Sequence, residues 1–343
     1  MTEPLCVALV GVFPPPLGGV SVHLQRLAAR LEDQGVSVMR QGAPTGPPFF
    51  GYHLEVLRRT RGAHVVHAHL HGAAHLALLA ALARTCRRVV LTIHGDNVVG
   101  PALEGHRSRA AVTGAALRSL HAVVCVNPRI QQEVLALGVR HERTLVAPAF
   151  LPPDERTLST DVLPEVAAFV DRHRPVLSAS AFTFDLHRGI LLYGQDQLVE
   201  LVARLAPSLP DLGLVVHLSR TDGPSAERFA ATRALARERG VDDRVLWVPG
   251  SRDLGPTLAR SDALIRPTAT DGDAVSVREA LHLGVPVVAS DAVGRPEGTH
   301  VARSGDLDAL VAATRKALAS ERRRQPQPDP FPRLLALYRE VAG

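Results

Sequence analysis

The sequence predicts an α/β protein built from two doubly wound domains, each a parallel sheet with helices on both faces. Three observations carry this reading. Apolar runs of strand length alternate with longer amphipathic segments from end to end of the chain. The strand runs stay apolar along most of their length, as strands covered on both faces do. A chain of 343 residues, 46% hydrophobic and 21% charged, suits two ordinary domains better than one.

In order along the first half, Leu5–Val12, Ser37–Arg40, His64–His69, Arg88–His94, Ala122–Val126 and Thr144–Ala147 read as strands. Val20–Gln34 reads as a helix, with Val22, Leu27 and Leu31 on one face. In the second half Pro175–Ala179, Gly213–Leu218, Arg244–Val248, Ala263–Arg266 and Val285–Ser290 read as strands. Gly194–Leu205, Ser225–Arg239, Val275–Leu283 and Asp306–Ala319 read as helices between them. The stretch from Leu151-Pro152-Pro153 to Thr160 is proline-rich, polar and aperiodic, and marks the join. The expected domains are therefore 1–155 and 156–328, followed by an amphipathic helix within 329–343 that packs back on the first domain. Two such domains are expected to face each other across a cleft, with ligands beyond the carboxyl ends of the strands.

Composition excludes several classes. No apolar run reaches spanning length; the longest, Ala73 to Ala83, is interrupted by His75. Leu5–Phe13 lacks a basic leader and a cleavage site, so it reads as a strand and not as a signal peptide. Cys6, Cys86 and Cys125 are odd in number and lie in or beside apolar runs, which fits reduced thiols in the cytoplasm. Up to Glu155 there are 15 Arg against 10 acids, while the remainder has 24 basic and 24 acidic residues, so the first half holds the whole excess of +5. Such a half suits an anionic partner: a phosphorylated acceptor, or an anionic membrane surface met by Arg26, Arg30, Arg58, Arg59, Arg61, Arg84, Arg87 and Arg88. It equally suits ordinary solvated helix faces, and no nucleic-acid partner is expected. The single lysine, Lys316, sits in an amphipathic run and is a poor Schiff-base residue, which disfavours pyridoxal chemistry.

Four stretches carry chemistry. In VGVFPPPLGGVSVHL a strand and a rigid proline loop lead to Gly18-Gly19 and a helix start, a place where backbone can approach an anion closely. In HVVHAHLHGAAH, the alternating His67, His69 and His71 share one face of an extended strand. They suggest sugar or acceptor contact or simple packing, with zinc the weaker alternative because no cysteine or carboxylate completes a shell. In LTIHGDNVVG, His94 stands at the carboxyl end of a buried strand, where its imidazole can donate to a substrate oxygen.

The fourth, TATDGDAVSVREA, follows a strand. Asp271 and Asp273 around Gly272 resemble a metal-binding D-x-D, or a merely acidic loop. The helix opening at Val275 and Ser276 offers N–H groups to a diphosphate. Glu279 lies one turn further along. Acids beside an anionic ligand are expected to meet its hydroxyls and not its phosphates.

Taken together, these stretches resemble the family-4 glycosyltransferases of the GT-B fold, two facing Rossmann-like domains with retaining chemistry. Asp271 and Glu279 flank seven residues and are followed by the G-x-P-E loop Gly294–Glu297; Gly18-Gly19, His67-Ala68-His69, Thr92-Ile93-His94-Gly95 and LVAPAFLPP match the N-terminal pattern and the junction. The variants look most like bacterial enzymes of surface-polysaccharide synthesis. The resemblance implies transfer of a sugar from a UDP- or GDP-sugar to a glycan or lipid-linked acceptor, without cofactor or bound metal, in the cytoplasm or at the inner face of the cell membrane. It implies a first domain that binds acceptor and a second that binds donor. Asp271 would contact the donor sugar, with Asp273 a second candidate for that task, and His94 would lie near the transferred sugar. Glu279 would hold ribose, Gly18, Gly19, Val275, Ser276 and Gly272 would accommodate the diphosphate, and His67 and His69 would line the acceptor side.

Two departures from the family pattern matter. Asp271 replaces the usual glutamate, and Tyr193 stands before Gly194 where a lysine is expected. Another cation must then meet the diphosphate, and Arg188 and Arg266 are the candidates. The departures also motivate a nucleotide-sugar-binding pseudo-transferase as an alternative function; an epimerase of the same fold is a further one.

Overall fold

In a computed structural model, the chain is described for residues 4–42, 50–69, 72–85, 87–95, 99–105, 107–153, 161–250 and 252–343. His71, Cys86 and most of the expected join lie outside the described residues. The chain divides into two compact units, one of residues 1–15, 19–151 and 328–343 and the other of 16–18 and 152–327.

The first unit holds six parallel strands: β1 (Cys6–Gly11), β2 (Ser37–Gly42), β3 (Val65–Ala68), β4 (Arg88–Ile93), β5 (Ala122–Cys125) and β6 (Thr144–Val146). Their order across the sheet is β2-β1-β3-β4-β5-β6. The helix Gly19–Asp33 buries Leu24, Leu27, Ala28 and Leu31 against Val7 and Leu9 of the sheet. The same cluster takes in Phe331, Leu334, Leu335 and Tyr338 of the helix Phe331–Ala342. The last helix is thus part of the first unit's core, because its 3.6-residue repeat puts those four side chains on one face.

The second unit holds β7 (Val176–Ala181), a hairpin of β8 (Leu186–His187) and β9 (Ile190–Leu191), then β10 (Gly213–Leu218), β11 (Val245–Pro249), β12 (Ala263–Arg266), β13 (Val287–Ser290) and β14 (Thr299–Ala302). The main sheet is parallel, in the order β11-β10-β7-β12-β13-β14. Alternate residues serve opposite faces: Leu214, Val216, Ile265 and Val288 join one core cluster, while Leu264, Val287 and Ala289 join another. Both faces are apolar, so both must be covered. The helices Gln195–Leu205 and Leu307–Leu318 cover the first face, and Val275–His282 the second.

Sequence periodicity misses β14, which is short and half-polar, and the hairpin, whose two-residue turn Arg188-Gly189 has both φ angles positive, at 50° and 85°. It also assigns no helix to Phe50–Arg59, and it reads Ala73–Ala83 only as an apolar run; the latter is an eleven-residue helix. No described helix is long and apolar enough to cross a membrane.

Several arginines of the basic face expected to meet a membrane have partners within the protein. Arg30 pairs with Asp329 at 2.7 Å and lies over the Phe331 ring. Arg26 donates to the Leu151 carbonyl, Arg87 to Thr60, and Arg59 pairs with Glu55. The apolar face of the first helix packs on its own core.

Tyr338 is fully buried, and its hydroxyl lies 2.6 Å from Nδ1 of His67, whose Nε2 lies 2.7 Å from the Thr92 hydroxyl. Removing that hydroxyl orphans a buried imidazole nitrogen. Tyr338→Phe should therefore cost about 1–3 kcal/mol in urea denaturation; an unchanged midpoint would contradict this pairing.

Candidate functional site

In an open parallel sheet, ligand sites form where the strand order reverses, beyond the carboxyl ends of the two strands that flank the reversal. In the second unit those strands are β7 and β12. Arg266 is the last residue of β12, and it reaches across to β7, donating from Nη1 to the Ser180 carbonyl at 3.2 Å. Its Nε and Nη2 make a bidentate pair with Asp271, at 3.1 and 3.2 Å.

A second arginine closes on the same carboxylate. Arg295 Nη1 donates to Asp271 at 3.0 Å, its Nη2 to the hydroxyls of Thr268 and Ser290, and its Nε to the Ser290 carbonyl at 2.8 Å. The Thr268 hydroxyl and the Gly272 N–H add two more donors to Asp271. The side chains of Arg266, Asp271 and Arg295 are 11%, 10% and 2% exposed. Two guanidiniums around one carboxylate leave a net charge of +1 in a nearly dry setting.

Burial pushes the Asp271 carboxyl up, but attraction and hydrogen bonds from Arg266, and then from Arg295, outweigh it and hold the group at about 2. Five donors within the protein meet this carboxylate. In this structure Asp271 holds the two arginines. Asp273 is likewise engaged, with Arg278 at 2.6 Å, and Arg278 reaches on to Gln327.

Tyr193, where a lysine was expected, lies with its ring 5.1 Å from the Arg266 guanidinium, a cation–π contact. Burial raises its hydroxyl pKa, so it stays neutral. The next residue, Gly194, has φ 63° and caps the helix Gln195–Leu205; a Cβ there would collide with the Pro267 carbonyl. That close approach needs glycine. Arg188 is an exposed residue of the hairpin turn, with φ 50°.

The helix Val275–His282 starts four residues past Asp271, and its N-cap residue, Ala274, makes no side-chain cap bond. Val275 and Ser276 therefore open it with backbone N–H groups and the positive end of the dipole. Glu279, half-buried, is on the same helix. Gly18 belongs to this unit and lies against the Phe182 ring, where a Cβ would stand 3.0 Å from the ring edge; the adjacent Leu17 carbonyl accepts from Ser219. Gly19 opens the first helix of the other unit.

In the first unit the strand order reverses between β1 and β3. His69 follows β3 there, and a Cβ on Gly11, which ends β1, would stand 3.1 Å from its Cβ. His94 follows β4, with Nε2 2.8 Å from His69 Nδ1. His67 and His69 share a face, as their alternation predicts, with ring centres 4.2 Å apart. Both are interior, at 0% and 2% exposure. His67 uses both ring nitrogens within the core, which corrects the expectation that it lines an acceptor surface. Burial lowers the imidazole of His67 to about 3 and that of His23 to about 4, and it holds His69 well below the usual range.

Arg295, Arg278 and His23 escaped the sequence reading. Arg295 occupies the variable position of Gly294–Glu297 and is a cation inside the very loop that marks the motif. That was the available signal. His23 sits one turn into the first helix among leucines, where periodicity assigns it only to the core face.

Comparison with known proteins follows the same division. The family model described as Glycosyltransferase Family 4 matches residues 39–155, and the one described as Glycosyl transferases group 1 matches residues 191–320. A stretch of 128 residues is 28% identical to the lipopolysaccharide core biosynthesis mannosyltransferase LpsB of Rhizobium meliloti (strain 1021), covering 35% of this chain and 36% of that protein. The chain thus matches only about a third of that relative's length. Among solved structures, HepE of Anabaena in complex with UDP and glucose is similar with TM-score 0.68 and 14% identity, over 92% of this chain and 90% of that one. The sucrose-phosphate synthase of Thermosynechococcus elongatus is similar with TM-score 0.71 and 18% identity, over 98% and 96% of the two chains. These likenesses establish the two-unit Rossmann-like GT-B fold.

The Asp271 cluster makes a pH prediction. The folded pKa, about 2, lies below the ordinary 3.8. The stability it contributes is present above that ordinary value and is lost as pH falls towards the folded one. Between about pH 5 and pH 2 the wild type should lose about 2 kcal/mol more unfolding free energy than Asp271→Asn does. Parallel acid profiles of the two proteins would contradict it.

Proposed function

Since the chain belongs to the family-4 glycosyltransferases of the GT-B fold, we propose that it moves a sugar from a UDP- or GDP-sugar to a glycan or lipid-linked acceptor, with retention at the anomeric carbon. The product would be a cell-surface polysaccharide or lipopolysaccharide. The mannosyltransferase LpsB and the UDP- and glucose-bound HepE support both the reaction class and the donor class. A lipid-linked acceptor would bring the reaction to the cytoplasmic face of the membrane.

The observation that carries this reading is the net-positive cluster of Arg266, Asp271 and Arg295 beside the uncapped start of Val275–His282. In the transfer, the anomeric carbon–oxygen bond to the diphosphate breaks and the acceptor oxygen bonds to the same face of the sugar. The acceptor proton passes to a leaving phosphate oxygen. The leaving group gains negative charge in the transition state, and preorganised cations and backbone N–H groups stabilise such charge most. The two arginines supply what the missing lysine would, and no metal is needed at the diphosphate.

In the proposed assignment the second unit binds donor and the first binds acceptor. Val275, Ser276 and Gly272 meet the diphosphate with Gly18 and Gly19, and Glu279 accepts from the ribose hydroxyls. His94 faces the transferred sugar. Asp271 and Asp273 position arginines, and Arg188, at the exposed hairpin tip, has a secondary part in attracting the anion.

Titration calorimetry with a panel of UDP-, GDP- and other nucleotide sugars tests the reading, followed by product analysis with acceptor. Binding of one donor, with transfer, is expected. Glu279→Gln should raise KM for that donor by about 10-fold with kcat nearly kept, as loss of a uniform binding contact does. Failure of every nucleotide to bind the folded protein would overturn the proposal. Affinity without turnover would identify a pseudo-transferase instead.

A further inference from the structure

Among the described residues, His23, His69 and His94 are brought together from three elements of the first unit: the first helix, the end of β3 and the end of β4. One ring nitrogen from each lies within 4.8 Å of the other two. The ring centres form a nearly equilateral triangle, with sides of 5.2, 5.3 and 5.1 Å. A tetrahedral ion that binds three imidazole nitrogens at about 2.0–2.1 Å holds the ring centres about 5 Å apart.

The hydrogen bonds point the same way. His23 and His69 are 3% and 2% exposed, and the Nε2 atom of each is buried without a partner. His23 Nδ1 lies 2.6 Å from the Ala149 carbonyl, which can only accept, so the proton is on Nδ1 and Nε2 presents a bare lone pair. A backbone carbonyl behind the far nitrogen is the usual support of a metal-binding histidine, because it fixes both the tautomer and the ring. His69 Nδ1 and His94 Nε2, at 2.8 Å, share one proton. An ion bound between them displaces that proton to the ring's other nitrogen, and the pair opens by about half an ångström to the spacing of two ligands on one ion.

We propose that His23, His69 and His94 form a three-histidine site for a divalent transition-metal ion of the zinc class, with water, hydroxide or another anion in the fourth position. Neutral imidazoles select zinc, cobalt and nickel over magnesium and calcium, which require oxygen ligands. No carboxylate belongs to the cluster, so the ion keeps its charge and an anion is the natural fourth ligand. His67 is no ligand, since Tyr338 and Thr92 occupy both its nitrogens. The site lies wholly in the first unit and takes up His94, the residue proposed to face the transferred sugar; metal binding is read without nucleotide or acceptor, so the two readings fail separately.

The test is a titration of the tag-free full chain, first stripped with chelator, with Co2+ followed by visible absorption. Saturation at one equivalent with the intense bands of a four-coordinate ion, reversed by Zn2+, is expected. His23→Gln and His69→Gln should each weaken binding at least about 10-fold. His217→Gln, at a buried histidine bonded to Thr257 in the other unit, should leave it unchanged. No saturation at one equivalent, or an identical titration with His23→Gln, overturns the site. Should the variants fail to fold, X-ray absorption at the zinc edge of the wild type decides: three imidazoles support the proposal and any smaller number overturns it.

Discussion

A carboxylate held between two guanidiniums organises the loops at the strand-order reversal of the second unit. Through Asp271, Arg266 at the end of β12 is tied to Arg295 in the loop after β13, and Arg266 is tied in turn to the Ser180 carbonyl of β7. Three neighbouring strands thus meet in one buried ionic cluster. Such a cluster is a poor way to gain stability. Taking each charged group out of water costs several kcal/mol, and apolar replacements are often as stable. What apolar side chains cannot supply is a fixed, net-positive charge. The cluster supplies it without a reorganisation penalty, because both guanidiniums are already locked in place when a ligand arrives.

The two units use the same sheet logic for opposite electrostatics. At its reversal point the second unit gathers arginines, and the start of the helix Val275–His282 adds a further partial positive charge. The first unit gathers histidines whose burial keeps them uncharged. Some of its arginines pair internally, such as Arg30 with Asp329.

Much of this was legible in the sequence. Strands buried on both faces advertise themselves as continuous apolar runs, so eleven of the main-sheet strands were legible with ends displaced by a residue or two, while half-polar β14, the short hairpin and several helices such as Phe50–Arg59 and Arg107–Arg118 were not. The loop from Asp271 to Glu279 was legible because a glycine, two acids and a helix start at fixed spacing have few structural readings. Side-chain partners were not legible. Asp271 and Arg295 are separated by 24 residues, and only the fold brings them within 3.0 Å. An acid near a helix start looks the same in sequence whether it accepts from a ligand or from an arginine. Tyr193 looked like a loss of charge. In the fold its ring lies beside the Arg266 guanidinium, a contact that the sequence does not show. His67 looked accessible from its strand-end position, yet Tyr338, 271 residues away, seals it into the core.

The central claim is that the Arg266–Asp271–Arg295 cluster provides the positive charge that a nucleoside diphosphate requires. Calorimetric affinities for a nucleoside diphosphate and the matching monophosphate, measured for the wild type and for Arg295→Gln, address it most directly. The account predicts that the wild type favours the diphosphate by at least about 10-fold and that Arg295→Gln, still folded, loses most of this preference. An unchanged preference in Arg295→Gln would contradict it.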